Sequence, residues 1–206
     1  MNLFVEQTGS FGSNCYMLST STAAVVIDIG EFTTPVRQFL EENRGKETLL
    51  LATHRHFDHV AGMKEAKDFC GAKTAVHVLD ECGFQSAADS MGANFDIVHP
   101  SFSADVLLSD GDVLTVGDIE IGVMHTPGHT EGSVCFVIDD MIFSGDTLFF
   151  LSVGRTDFPT GNTAVLLKSL EKLFSLPRDY KVFPGHERPT TLFYERENNP
   201  YYRGKR

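Results

Sequence analysis

The stretch THRHFDHVAG, residues 53–62, places His54, His56, Asp58 and His59 within six consecutive positions. It follows the apolar run TLLLA, residues 48–52, a pattern typical of a short buried strand. Neutral imidazole and carboxylate groups are side chains that bind zinc, iron(II) and manganese(II) in proteins. The stretch therefore predicts a metal site at the end of a strand, and further ligands must come from other parts of the chain.

Further ligand candidates follow predicted strands later in the sequence. These are His125 and His129 in VMHTPGHTEGS, Asp146 in MIFSGDTLF and His186 in VFPGH. A side chain at the end of a buried strand projects from a rigid scaffold into a loop-walled cleft, where functional groups usually lie. A glycine directly precedes the last three of these ligand candidates, and it permits tight turns and close backbone approach.

Seven of these residues suffice for two metal ions, with His125 set aside as a residue that packs beside its loop. The first set is His54, His56 and His129, the second is Asp58, His59 and His186, and Asp146 can bridge the two. Two metals about 3.5–4 Å apart can hold a shared hydroxide between them. Zinc is the expected metal, with iron or manganese as alternatives, because the same donors accept all three. Isolated His77 and His99 are interpreted as hydrogen-bonded structural residues.

Composition argues against two classes of partner, and a small-molecule substrate remains the expected one. The formal charge of −11 over 206 residues disfavours nucleic acid and anionic membrane as partners, because both require a basic surface. The only basic block is the short end YYRGKR, which we interpret as a solvated tail. No signal-peptide pattern and no apolar run of about 20 residues is present, so we expect a cytoplasmic location. The sequence leaves the oligomeric state open.

Periodicity predicts one domain over residues 1–206, built from mixed sheets with helices outside them. Strands are predicted at 2–7, 14–19, 23–30, 48–54, 73–78 and 180–186, with hairpins within 104–125 and two strands joined at Asp139 and Asp140. Helices are predicted at 33–45, 60–71, 80–91 and 162–177.

The motifs THRHFDHVAG, TPGHTEGS, FSGDTLF and PGH, in this order, resemble the metallo-β-lactamase superfamily. The resemblance implies an αββα sandwich with metals at one edge of its two sheets, and the same division of the seven ligands. VGRTDFPTGN (153–162) and LPRDYKVFPGHERPTT (176–191) are similar to single-domain glyoxalase II-like hydrolases. The implied activity is hydrolysis of a thioester, such as a hydroxyacylglutathione, by a hydroxide bridging two metal ions. Asp58 is expected to orient this hydroxide, and Arg155 to contact a substrate carboxylate.

Two departures bear on the substrate. Glyoxalase II carries a C-terminal helical domain that helps to hold glutathione, which this chain is expected to lack. The family usually follows its last histidine with Gly-Pro, whereas Glu187 and Arg188 stand here. An alternative is a persulfide dioxygenase that binds one iron through the equivalents of His54, His129 and Asp146. A non-catalytic metal-binding protein is the third interpretation, and it is disfavoured because structural zinc sites favour cysteine.

Overall fold

A computed structural model describes residues 1–202, so the last four residues of the predicted basic tail lie outside the described part of the chain. The first half of the chain forms a six-stranded mixed sheet in chain order. Its first three strands are antiparallel and the rest are parallel. The strands are β1 (Asn2–Thr8), β2 (Ser13–Ser19), β3 (Ala23–Ile27), β4 (Glu47–Leu51), β5 (Lys73–His77) and β6 (Val106–Leu108).

The second half forms another six-stranded sheet, in the order β12-β11-β10-β9-β8-β7. Only β10 and β11 are parallel, and the other neighbours are antiparallel. The strands are β7 (Val113–Val116), β8 (Ile119–His125), β9 (Val134–Ile138), β10 (Met141–Gly145), β11 (Lys181–Pro184) and β12 (Thr190–Thr191).

Helices cover the outer faces of both sheets. They are α1 (Thr34–Glu42), α2 (Phe57–Val60), α3 (Met63–Cys70), α4 (Cys82–Gln85), α5 (Thr163–Phe174) and α6 (Leu192–Asn198). Strand β3 shows why both faces must be covered, since all five of its residues are buried. Val25 and Ile27 pack between the sheets, while Ala24 and Val26 pack under α1 and α3. This is the expected αββα sandwich, and the apolar runs in the sequence are strands buried on both faces.

The predicted helix at 80–91 is wrong. The chain forms a 3₁₀ turn over Val78–Asp80, the single turn of α4, and a bend. The hydroxyl of Ser86 accepts hydrogen bonds from the backbone N–H groups of Ala88 and Asp89, which ends the helix because it competes with the helical hydrogen-bond pattern. Met91 then takes a left-handed backbone conformation at φ 66°.

Two other expectations need correction. The hairpin interpretation of 104–125 holds for β7 and β8, but β6 pairs in parallel with β5 in the other sheet. The helix predicted at 60–71 begins earlier and breaks at Gly62, where a Cβ would lie 2.6 Å from the backbone nitrogen of Phe32. Helix α6 was not predicted.

Among the described residues, no helix combines the length and the apolar composition needed to cross a bilayer.

Candidate metal centre

The fold brings all seven predicted ligands to one edge of the sandwich. They form three overlapping groups, and within each group the ligand atoms lie within 4.8 Å of one another. The groups are His54, His56 and His129; His54, His59 and Asp146; and Asp58, His59 and His186. A backbone hydrogen bond joins the two sheets at this edge, where the Val134 N–H donates to the Thr53 carbonyl at 2.9 Å.

The first set consists of three almost completely buried imidazoles. His56 Nδ1 lies 2.8 Å from His129 Nε2, and the Nε2 atom of His54 is buried without a hydrogen-bond partner. Burial, followed by the neighbouring imidazoles, lowers the pKa of both His54 and His56 well below the usual range. These rings are therefore neutral, which is the form that binds a metal.

The second set contains carboxylates as well as imidazoles. His186 Nε2 lies 3.3 Å from both Asp58 Oδ2 and His59 Nε2. Burial acts to lower the pKa of His59, but Asp58, Asp146 and Asp28 outweigh it and raise this pKa to about 10. Burial acts to raise the pKa of Asp58, but His59 and His186 hold it below its usual range. The concentration of buried negative charge favours a cation at this position.

Asp146 faces both sets. Its Oδ1 atom lies 3.4 Å from His59 Nε2, and its Oδ2 atom lies 3.5 Å from His129 Nε2. Oδ1 is buried and has no hydrogen-bond partner. The orientation is held by close backbone packing, since a Cβ on Gly185 would lie only 2.2 Å from Oδ1. Oδ2 also lies 3.8 Å from His186 Nε2, so Asp146 lies between the two sets and approaches both.

The donor set fits divalent metal ions. Two atoms bonded to one zinc at about 2.0–2.2 Å are separated by at most about 4.4 Å. The distances between donors given above, from 2.8 to 3.8 Å, lie within this limit. A buried imidazole nitrogen and a buried carboxylate oxygen without partners are also the atoms that a metal would satisfy. None of the seven is a cysteine, so the donors match a hydrolytic site better than a closed structural one.

Sequence reasoning missed Asp28, which orients the second set from behind. Its carboxylate accepts hydrogen bonds from the Thr53 N–H at 2.7 Å and the Thr53 hydroxyl at 2.8 Å, and its Oδ2 lies 2.9 Å from His59 Nδ1. A carboxylate behind a ligating histidine sets the tautomer and the direction of the ring. The signal was present in VVIDIG, where an aspartate directly follows a buried strand.

Arg55, inside the first motif, was also missed. Its guanidinium contacts Glu131 at 3.3 Å and the Thr160 hydroxyl at 2.7 Å, and it lies 3.8 Å from the buried Asp80. These partners lie on three separate loops around the centre. Arg55 therefore ties these loops to the strand end that carries His54.

The remaining candidates lie outside the cluster. His125 stacks on His77 with ring centroids 4.2 Å apart, and its Nε2 atom lies 2.8 Å from the Glu131 carbonyl, so it packs beside the loop as expected. Arg155 lines the cleft, but its guanidinium forms two 2.7 Å hydrogen bonds to Asp157. Its backbone carbonyl lies 2.7 Å from His129 Nδ1, a contact that orients a predicted ligand.

A cleft of about 350 Å³ opens on the cluster. Its floor includes His56, Asp58, His129, Asp146 and His186, and most of its walls are apolar or aromatic. An apolar cavity with a few convergent polar groups is typical of a site for a small molecule. Any substrate in this cleft lies directly against the donor cluster.

Residues 8–186 match the family model of the metallo-β-lactamase superfamily. The probable metallo-hydrolase YqgX of Bacillus subtilis is 30% identical over 200 residues, which cover 95% of this chain and 95% of that protein. The hydroxyacylglutathione hydrolase GloC of Haemophilus influenzae is 30% identical over 212 residues, covering 100% of both chains.

Solved structures give the same fold. The B3 metallo-β-lactamase BLEG-1 matches with a TM-score of 0.89 at 30% identity, covering 98% of this chain and 99% of that one. TTHA1623 in a di-iron-bound form matches with a TM-score of 0.84 at 33% identity, covering 96% and 99%. ETHE1 from Myxococcus xanthus matches with a TM-score of 0.82 at 27% identity, covering 100% and 86%. The chain belongs to the metallo-β-lactamase superfamily, whose fold implies bound divalent metal ions.

Proposed function

We propose that the protein is a metal-dependent hydrolase of thioesters that uses two metal ions. The observation that supports this proposal is the position of Asp146 between two complete sets of donors, where it approaches His129 of the first set and both His59 and His186 of the second. A site for a single metal has no need of the second set. The hydroxyacylglutathione hydrolase from Haemophilus influenzae, similar over the full chain, supports the thioester as the substrate class.

The positions of the donors indicate which residues would hold each ion. His54, His56 and His129 would hold one ion, Asp58, His59 and His186 the other, and Asp146 would be shared. Divalent ions lower the pKa of coordinated water to about 7 and polarise a carbonyl oxygen, so they supply both the nucleophile and the electrophilic assistance for attack on a thioester. Asp58, held ionised by its imidazole neighbours, can also accept a hydrogen bond from the attacking water and so orient it.

The leaving group requires little help from the protein. A thiol with a pKa near about 8.5 departs readily as a thiolate, so no strong general acid is required. The chain's task is to position the substrate and to exclude water. Phe158 contacts the His56 ring edge-on at 5.7 Å, and Phe149 contacts the His186 ring at 6.0 Å, so an aromatic ring flanks each donor set.

The second candidate is a persulfide dioxygenase with one iron. It is favoured by the approach of His129 to Asp146 at 3.5 Å beside the unpartnered Nε2 of His54, since these three residues are the expected iron ligands. Under this hypothesis, the complete second set would be retained without a role.

One preparation with quantified metals distinguishes the candidates. Thiol release from a panel of acyl-thioesters is followed with a chromogenic thiol reagent, and oxygen uptake with a persulfide is followed at an electrode. We expect thiol release that a chelator abolishes, and no oxygen uptake above background. Rapid oxygen uptake by an iron-loaded form that leaves thioesters intact would overturn the proposal. Hydrolysis of a chromogenic β-lactam in place of thioesters would also overturn it.

A further inference from the structure

We infer that the cleft selects uncharged thioesters that carry an apolar ring, and discriminates against glutathione thioesters. This inference rests on the proposed thioester hydrolysis and adds the class of substrate. Two features of the cleft carry it: a cluster of three aromatic rings beside the donors, two of them exposed, and the lack of an unpaired cationic side chain on the described residues that line it.

The first feature is an aromatic wall formed by Phe11, Phe57 and Phe95. The three rings contact one another with centroids 5.1 Å (Phe11–Phe57), 5.0 Å (Phe11–Phe95) and 5.2 Å (Phe57–Phe95) apart. Phe57 is buried and lies between His56 and Asp58 in the sequence, so the wall starts at the donor cluster. Phe11 and Phe95 are 46% and 41% exposed.

Exposure of two neighbouring rings, in edge-on contact at the mouth of a polar centre, is costly unless a ligand covers them. Contiguous exposed apolar surface beside a cleft is typical of a binding site. Aromatic rings prefer a flat apolar partner in offset or edge-on contact, and such contacts add to the gain from burial. Phe149 and Phe158 line the same cleft, so an apolar group that enters it meets aromatic rings from several directions. The walls therefore favour a ring-bearing substrate.

The second feature is the charge of the cleft. Arg155 is the only arginine or lysine among the described residues that line it, and the Arg155 side chain is already paired with Asp157 through two hydrogen bonds. The same guanidinium stacks on Phe158 at 3.7 Å from the ring centroid. Asp157 takes two of the five N–H groups of this guanidinium and offsets its charge. A substrate carboxylate that binds Arg155 therefore competes with Asp157 for that charge.

Glu187 makes the cleft less favourable still to anions. This exposed residue lines the cleft directly after the predicted ligand His186. Its backbone has φ 66°, a left-handed conformation that a non-glycine residue adopts at a cost. Glutathione carries two carboxylates and one ammonium, so its thioesters are net negative, and among the described residues of this cleft no unpaired cationic side chain offsets Glu187. A neutral thiol carrier avoids the repulsion.

Four thioesters test both features by changing either the acyl group or the thiol carrier. The acyl group is acetyl or phenylacetyl, and the carrier is glutathione or the neutral thiol N-acetylcysteamine. Thiol release is measured on the metal-loaded enzyme. We expect kcat/KM for phenylacetyl to exceed that for acetyl by about tenfold on the neutral carrier, as buried apolar groups usually give. We expect kcat/KM for a thioester of the neutral carrier to exceed that of the matching glutathione thioester by a similar factor, on the order of tenfold, because a charge in the cleft without a partner is disfavoured.

Variants link each preference to its feature. Phe95→Ala is expected to reduce the phenylacetyl-to-acetyl ratio about fivefold, whereas Val98→Ala, an 86% exposed apolar residue outside the cleft, leaves the ratio unchanged. Glu187→Gln is expected to reduce the preference for the neutral carrier about threefold, a size typical of one exposed charge. Circular dichroism and metal content check folding. If Phe95→Ala does not fold, Phe11→Ala tests the same ratio at the other exposed ring.

The outcomes separate the inference from the proposed function. If all four thioesters are inert with the metals loaded, the proposed thioester hydrolysis is wrong. If they are hydrolysed but the ring confers no advantage, or glutathione is preferred and Glu187→Gln has no effect, the hydrolase stands and the selectivity is wrong.

Discussion

Replacing Asp28 by asparagine is expected to weaken binding of a metal at the second set while leaving the fold in place. Asp28 is 1% exposed and makes three hydrogen-bond contacts, two with Thr53 and one with Nδ1 of His59. Asparagine has almost the same shape, and it also tolerates the left-handed backbone of Asp28 at φ 60°. The substitution therefore changes the chemistry at this position more than the geometry.

The magnitude follows from the hydrogen bonds that an amide can keep. Its carbonyl oxygen can still accept from the Thr53 N–H, and its NH₂ group can donate to the Thr53 hydroxyl. The NH₂ group then faces His59 Nδ1, where the carboxylate accepted a hydrogen bond. Loss of one hydrogen bond to a charged group is worth about 1.5–3 kcal/mol, which is about 10- to 150-fold in affinity. Loss of such partners behind metal ligands typically costs about 10- to 100-fold in metal affinity, in agreement.

The affinity is measured by competition between the metal-free protein and a chromophoric chelator, titrated with zinc. Asp139→Asn is a matched control, because Asp139 has a similar backbone at φ 54° but lies exposed in the β9–β10 turn. Asp28→Asn is expected to weaken the binding of one of the two zinc ions by at least about tenfold. Asp139→Asn is expected to weaken the binding of neither ion. If Asp28→Asn binds both metals within twofold of the unchanged protein, Asp28 does not orient His59 as inferred.

Three further predictions concern the centre and the stability of the fold. Asp146→Ala is expected to remove most of both metals, measured by elemental analysis against about two per chain in the unchanged protein; one metal that is still tightly held would contradict sharing. Gly185→Ala is expected to reduce metal content without unfolding, since its Cβ would lie 2.2 Å from Asp146 Oδ1, whereas Gly122→Ala, with its nearest contact at 3.7 Å, is the control. Burial, followed by His125, lowers the pKa of His77 from 6.5 to about 4. Between these two pH values the unfolded chain takes up a proton at this residue and the folded protein does not, so the folded state loses stability as pH falls from 6.5 towards 4. The free energy of unfolding is measured by urea titration of the metal-free protein. Its difference between the unchanged protein and His77→Gln should shift by about 2–3 kcal/mol in favour of the variant as pH falls from 6.5 to 4. A difference that stays constant over this range would refute the lowered pKa of His77.

The donor cluster was predictable from the sequence because its chemistry is local. His54, His56, Asp58 and His59 follow one buried strand within six positions, and strand ends meet at the edge of a sheet. The sandwich was predictable for a related reason, since apolar runs such as Ala23–Ile27 must be covered on both faces. The resemblance to the superfamily rested on the same motifs, and the family match confirms it.

Helix 80–91 shows where sequence reasoning failed even locally. The hydroxyl of Ser86 competes for the backbone N–H groups of Ala88 and Asp89, two and three positions further on. A local side-chain hydrogen bond therefore overrode the helical preference after α4.

The residues around the donors were decided by the tertiary structure alone. The role of Asp28 depends on the parallel pairing of β3 with β4, which places it beside Thr53 and His59. The role of Arg55 depends on Glu131 and Thr160, which lie 76 and 105 positions further along the chain. By itself, the sequence determined which side chains can bind metal and that strands deliver them to one edge, because residue chemistry and strand periodicity are local properties. Which carboxylate orients an imidazole, and which loops an arginine connects, depend on contacts between segments far apart in the chain, and only folding creates those contacts.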